Sequence, residues 1–276
     1  MMKRGDRGAL LAHGFLTAAA LCFLGPFVWI ALAAFKTQIV LLTSQIVFHP
    51  ILRNFRDVLF SDDSDYLHQC ADSLIIAVGS TLLVLAVATL AAFSLNRLRW
   101  PRWCFMLLIG WTAVFHMVPP ITLAAAWYAM FRPIGLDNSY IGMILAHATI
   151  NLPITLWLML SFIGEVPGEI LEAARIDGAT PGQILWRIVA PLVRPGLGAA
   201  AVLAFIFSWN EFPVALTLTQ RATVTVPVGV ASFAQDHEIQ YPQMAATALL
   251  SILPAVVLLL AARRLIVRGL TVGAIR

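Results

Sequence analysis

Six stretches of this 276-residue sequence run for 20 residues or more with almost no charge, and no other feature narrows the fold as far. They lie at 9–35, 73–95, 104–130, 140–163, 196–218 and 243–262, and Glu211 is the one Asp, Glu, Lys or Arg within them. About 20 apolar residues rising 1.5 Å each cross the roughly 30 Å of bilayer hydrocarbon. Composition agrees: 12% of the residues are charged and mean hydropathy is +0.86, where a soluble domain carries about 25% charged residues. The expectation is an all-α polytopic membrane protein, residues 1–276 forming one transmembrane domain of six helices. The first run has 27 residues, longer than the roughly 7–15 of a signal-peptide core, and reads as a retained span. Pro26 kinks it. Beyond His116, Met117-Val118-Pro119-Pro120 breaks the third span, as a kink or as a cavity lining, and Asn151 with Pro153 marks the fourth in the same way.

The arginines orient these spans. With the N-terminus in the cytoplasm, the cytoplasmic segments hold Lys3, Arg4, Arg7, Arg97, Arg99, Arg102, Arg175, Arg187, Arg194, Arg263, Arg264, Arg268 and Arg276. That is 13 of the 18 basic residues, which the positive-inside rule favours. Topology thus accounts for the net charge of +4 without any nucleic acid. The acidic loop 36–71, with Asp57, Asp62, Asp63 and Asp65, faces outward, as does the loop 220–241.

Several chemistries have no residues to carry them. Lys3 and Lys36 are the only lysines and neither closes a GxxxxGK[ST] loop, so the chain builds no usual ATP phosphate cradle. No HExxH or GxSxG is present, the six histidines are scattered singly, and the three cysteines lack metal spacing. The chain is expected to be no enzyme, with no catalytic residue and no metal. Cys22 and Cys104 read as small core residues, and His147 as an interhelical hydrogen-bonder. Glu211 sits about 22 Å up the fifth helix from Gly196. Exposing it to lipid would cost about 2.5–3.5 kcal/mol, so it should face a cavity or a partner.

One polar stretch, 167–195, separates the fourth and fifth runs. Pro167 suits a first helical position, and Glu169 and Glu172 fall at the positive end of that helix. Ile170, Leu171 and Ala174 recur on one face. Gly178 ends the helix, and Thr180-Pro181 opens a second one as N-cap and N1, with Ile184, Leu185 and Ile188 apolar. Such an elbow needs something to pack against: its own loops or another protein.

Glu172-Ala173-Ala174, three residues, Gly178, nine residues, Ile188 and Pro191 resembles the EAA signature of permease subunits of bacterial binding-protein-dependent ABC importers, EAA–x3–G–x9–I–x–LP. Ala190 departs from the usual leucine. Ser208-Trp209-Asn210-Glu211-Phe212 is similar to the SWNEF segment of the carbohydrate branch, and RGLTVGAIR at 268–276 to the ending of its maltose-type second permease. Asp72-Ser73 departs from the Asn-Ser pair that often opens the second helix.

The resemblance implies a type I importer permease fold, in which the elbow is a coupling helix docked in a cleft of a separate ATPase. Glu172, Ala173, Ala174, Asp177, Gly178, Ile188 and Pro191 would carry that coupling. ATP and magnesium would sit on the ATPase, present in two copies, beside a second permease and an extracytoplasmic sugar-binding protein. Both termini would be cytoplasmic. An amphipathic helix lying on lipid is the other reading of the elbow, opposed by Glu169, Glu172 and Asp177. Trp209, Asn210 and Glu211 line the translocation path or lock the interface between the two permeases. Asp236-His237-Glu238 touches the binding protein or is a solvated connector. Function then reads as ATP-driven import of a sugar or sugar derivative across the cytoplasmic membrane, the alternative being a stand-alone secondary transporter.

Overall fold

The computed structural model describes residues 4–98, 100–220, 222–234 and 239–272, with side chains between residues 12 and 263. Asp236-His237-Glu238 and residues 273–276 of the RGLTVGAIR ending lie outside the described residues, as do Arg99 and Arg221. The elements are helical: α1 (Arg4–Ala34), α2 (Gln38–Leu42), α3 (Arg53–Phe60), α4 (Tyr66–Arg97), α5 (Arg102–Met117), α6 (Pro120–Phe131) and α7 (Tyr140–Gly164). After them come α8 (Gly168–Ile176), α9 (Pro181–Ile184), α10 (Ala190–Leu192), α11 (Arg194–Trp209), α12 (Pro213–Leu218), α13 (Val226–Ser232) and α14 (Tyr241–Val272). Four described helices are long and apolar enough to cross a membrane alone, and two sharply bent pairs bring the number to six. The chain divides into two compact units, residues 1–67 with 229–253 and residues 68–228 with 254–276.

In the first unit, the most apolar window of α1 buries nothing within the chain, which leaves its surface to lipid or another subunit. Cys22 is exposed there. This corrects its reading as a core residue, because that part of α1 contributes to no core. Cys104, half-buried, is also a free thiol. The end of α1 is tied by α3: Asn54 Nδ2 donates to the carbonyls of Ala34 at 2.7 Å and Lys36 at 2.9 Å. Lys36 is buried, with no carboxylate paired to it among the described residues. Its ammonium donates to the Gln45 carbonyl at 2.8 Å and lies 4.9 Å from the Trp29 ring centre and 4.7 Å from that of Phe48, contacts that offset desolvation. The acidic loop is therefore more regular than its four aspartates suggest, with α2 and α3 inside it.

In the second unit, α4 opens at Tyr66, ahead of the expected Ser73. Ala77, Ser80, Ala88 and Ala92 are buried on it, and small residues let helices approach closely. The Asp72-Ser73 departure has a use. Tyr140 donates its hydroxyl hydrogen to Asp72 Oδ1 at 2.6 Å, and Ser73 Oγ accepts from the Val226 N–H that opens α13.

The third span is broken where the prolines predict, with α5 and α6 bent by 100°. The fifth differs from expectation, since 196–218 is not one helix. It stops at Trp209 and resumes at Pro213 as α12. Pro213 has no N–H to donate to the Trp209 carbonyl and its ring would clash with that turn.

Candidate coupling elbow and translocation cavity

The elbow begins one residue later than its sequence suggests, with Pro167 as N-cap and Gly168 as the first helical residue of α8. Leu171 and Ala174 are buried in the apolar core beside Ile163, Val166, Ile184, Leu185 and Val189. That anchoring turns Glu172, Ala173 and Asp177 outward. The helix closes in a Schellman turn: Ala179 N–H donates to the Ala174 carbonyl at 2.9 Å and Gly178 N–H to that of Arg175 at 3.0 Å. Gly178 sits at φ +81, with no atom within 4 Å of where a Cβ would stand. Backbone conformation, not space, calls for glycine here.

Thr180 then opens α9 with a full capping box: Gln183 N–H donates to Thr180 Oγ1, and Thr180 N–H to Gln183 Oε1 at 2.9 Å. Leu185–Val189 widens into a π turn ahead of α10, which contains Pro191 and its missing donor. Ile188 is half-buried and Pro191 exposed. The chain bends 80° before α11. The seven candidate coupling residues thus divide. Ala174 and Ile188 pack inward, while Glu172, Ala173, Asp177, Gly178 and Pro191 are exposed.

Side chains from α4 hold the elbow to the spans. Arg97 donates through Nη2 to the carbonyls of Ile163 at 2.6 Å and Val166 at 2.7 Å, and Asn96 Nδ2 donates to the Leu160 carbonyl at 3.0 Å. Arg175 of α8 donates back to the Arg97 carbonyl at 3.4 Å. These cations cap carbonyls at helix ends, where the dipole also favours them.

The second site gathers at the break after Trp209. Glu211 folds its carboxylate back onto α12, accepting from Val214 N–H at Oε1 and Ala215 N–H at Oε2, both at 2.9 Å. His147 Nε2 lies 3.5 Å from Glu211 Oε2, and its Nδ1 lies 2.7 Å from Ser208 Oγ. Ser80 donates to Ser208 Oγ at 2.9 Å. The histidine is the interhelical bonder expected, and it supplies the partner that Glu211 lacked on sequence grounds. Trp209 is buried, stacked on Phe205 at 5.8 Å between centroids. Asn210 is exposed and donates to the Ile206 carbonyl at 2.9 Å. Glu211 alone of the three borders a cavity of about 200 Å3, with His116, His147, Asn151 and Phe207 among its walls.

Residues 75–272 match the family described as "Binding-protein-dependent transport system inner membrane component". The chain belongs to that family. This permease is 35% identical over 259 residues to the trehalose transport system permease protein SugB of Mycobacterium tuberculosis, covering 91% of this chain and 92% of the relative. It is 32% identical over 270 residues to the trehalose/maltose transport system permease protein MalG of Thermococcus litoralis, covering 97% and 96%. A chain of a bacterial ABC transporter involved in alginate import superposes with TM-score 0.78 at 20% identity, covering 96% of this chain and 98% of that one. It shares the fold, that of an ABC importer permease.

Three features of this permease escaped the sequence reading. Arg97 counted there only as a topology charge. Ser80 carried no signal, since lone serines in apolar helices are common, and Ser208 counted only as part of the SWNEF-like segment. Ile176 and Trp186, 86% and 59% exposed on the elbow, were not singled out, although Ile176 falls beside Asp177 on the outward face.

Proposed function

We propose that this permease moves a sugar or sugar derivative inward across the cytoplasmic membrane, using ATP hydrolysed on a separate subunit that grips the elbow. The observation that carries this reading is the elbow's outward surface. Glu172, Ala173 and Asp177 project from a helix pinned by Leu171 and Ala174, Ile176 lies uncovered next to Asp177, and Trp186 is uncovered on the second half of the elbow. Exposed apolar side chains rimmed by charge mark a protein contact, and slim alanines admit the helix to a cleft. The relatives' carbohydrate substrates support the sugar class.

On this reading the partners are a second permease, two ATPase copies carrying ATP and magnesium, and an extracytoplasmic sugar-binding protein. The termini and the elbow lie in the cytoplasm. ATPase closure would push α8, and the Arg97 clasp would pass that displacement to the ends of α4 and α7. Trp209, Asn210 and Glu211 belong to the path segment, Glu211 bordering its cavity and Trp209 packed behind it on Phe205.

The test is co-purification of the ATPase with the permease pair. Glu172→Lys should release the ATPase and abolish ATP-dependent sugar uptake in proteoliposomes while the two permeases stay paired. Retention of a fully coupled ATPase by that variant would refute the elbow's role.

A further inference from the structure

Two of this chain's helix breaks border the same cavity. His116 stands at the end of α5, Glu211 lies in the gap before α12, and α7 faces both with His147 and Asn151. Irregular backbone at membrane depth is tolerated where it lines a cavity, and transporters gather their ligand sites at discontinuous helices.

The walls divide chemically. Phe207 is exposed, and so is His116, whose ring also meets Trp157 edge to face at 5.4 Å, while His147 and Asn151 are buried. His147 is buried, and its Nε2 has no hydrogen-bond partner among the described residues. Glu211 Oε2, at 3.5 Å, is beyond a good hydrogen bond. Asn151 is buried too, and its amide reaches the Ala204 carbonyl only at 3.5 Å. The carboxylate gives direction. Ser80 has one hydroxyl hydrogen within reach of both the Ala77 carbonyl at 3.2 Å and Ser208 Oγ at 2.9 Å, so the tautomer is set on the other side of the ring. Glu211 Oε2 only accepts, which puts the imidazole proton on Nε2 facing it and leaves Nδ1 to accept from the Ser208 hydroxyl.

We propose that this cavity is a sugar subsite within this chain. One pyranose ring lies against Phe207 and His116. One of its hydroxyls accepts from His147 Nε2–H and donates to Glu211 Oε2, and another bonds to the Asn151 amide. A hydroxyl is the group that fits, because it donates and accepts at one atom, and the gap needs both. The inference rests on the sugar reading above and adds a place to it. Phe207 supplies the ring surface, since Trp209 is already stacked on Phe205.

The experiment uses the complete importer in proteoliposomes with its binding protein, and with Cys22, Cys70 and Cys104 replaced by serine. Ile154→Cys places a thiol on the cavity wall and Val47→Cys a control on the exposed loop 36–71, outside the cavity wall and the elbow, and both react with a charged methanethiosulfonate. Trehalose or maltose, whichever is imported, should slow modification at Ile154→Cys about fivefold at four times its dissociation constant. The control should stay unchanged. Adding Asn151→Leu should remove the protection while the ATPase still co-purifies. Import without protection would overturn the subsite and leave the sugar reading standing. So would a thiol that no reagent reaches, which would mean that another subunit fills the cavity. Import of neither, nor of any sugar in a panel of mono-, di- and amino-sugar oligosaccharides tried in their place, would bring down the sugar reading and the subsite with it.

Discussion

The elbow and the break after Trp209 both interrupt a helix, and they satisfy the freed backbone groups by opposite means. At the elbow the chain caps itself with its own main chain and short polar side chains: the Schellman bonds at Gly178, then the Thr180–Gln183 box. Charges there stay outside, with Glu172 and Asp177 exposed. At the break a buried carboxylate does the capping, backed by a buried imidazole from α7, by Ser208 of α11 itself and by Ser80 of α4. The difference follows from the surroundings. Water can satisfy any group that an elbow leaves over, so the caps there need only be good. Within an apolar span nothing else can, and each orphaned N–H costs about 1–3 kcal/mol. Position in the bilayer therefore decides which interruption tolerates substitution.

Glu211→Ala tests this most severely. It leaves the N–H groups of Val214 and Ala215 without an acceptor, and both residues are fully buried. The expected loss is about 3 kcal/mol, counting two unsatisfied donors. Thermal or SDS unfolding of the purified complex should register it. Glu211→Gln keeps one acceptor oxygen and should lose about half as much. Equal stability of Glu211→Ala and the parent would mean that the break is held by something other than its side chain.

Arg97 lies between the two cases, half-buried where a span meets the elbow. Arg97→Gln is too short to hold both the Ile163 and Val166 carbonyls, and should cost about 2 kcal/mol. Stability alone would not separate a clasp from a simple packing role. The separating readout is sugar transported per ATP hydrolysed: a coupling clasp predicts continued ATPase activity with fewer sugars moved. Both bonds leave from the single nitrogen Nη2, so Arg97→Lys, whose ammonium also carries several N–H donors on one atom, should recover part of both the stability and the ratio. An unchanged ratio in Arg97→Gln would confine this residue to structure.

The same contrast explains what could be read from the sequence. Gly178, Thr180 and Pro181 are local signals, each deciding its own backbone conformation or cap within four residues, so the elbow's outline was legible. So were five of the spans, because hydropathy over 20 residues needs no tertiary knowledge. The break at 210–212 was not. A proline at 213 permits a kinked helix as readily as an interrupted one, and the choice depends on Glu211 finding α12's N–H groups with His147, 64 residues away in sequence, beside it. Cys22 failed for a related reason. An apolar run tells that a helix is buried in something, but not whether that something is protein or lipid.

The smallest expected effect separates conformation from space at the elbow itself. Gly178 and Gly182 are both exposed, and at neither would an added Cβ meet an atom within 4 Å. Only Gly178 has positive φ. Gly178→Ala should therefore cost about 1 kcal/mol through the left-handed backbone, and weaken ATPase docking about fivefold where the turn must stay formed to bind. Gly182→Ala lies within α9, where alanine is the better helix former, and should leave docking unchanged or slightly tighter. Titrating the ATPase against the permease pair in nanodiscs measures both. Should the two variants weaken docking alike, the ATPase cleft itself would be rejecting the extra methyl groups, and the left-handed turn would lose its special place in the contact.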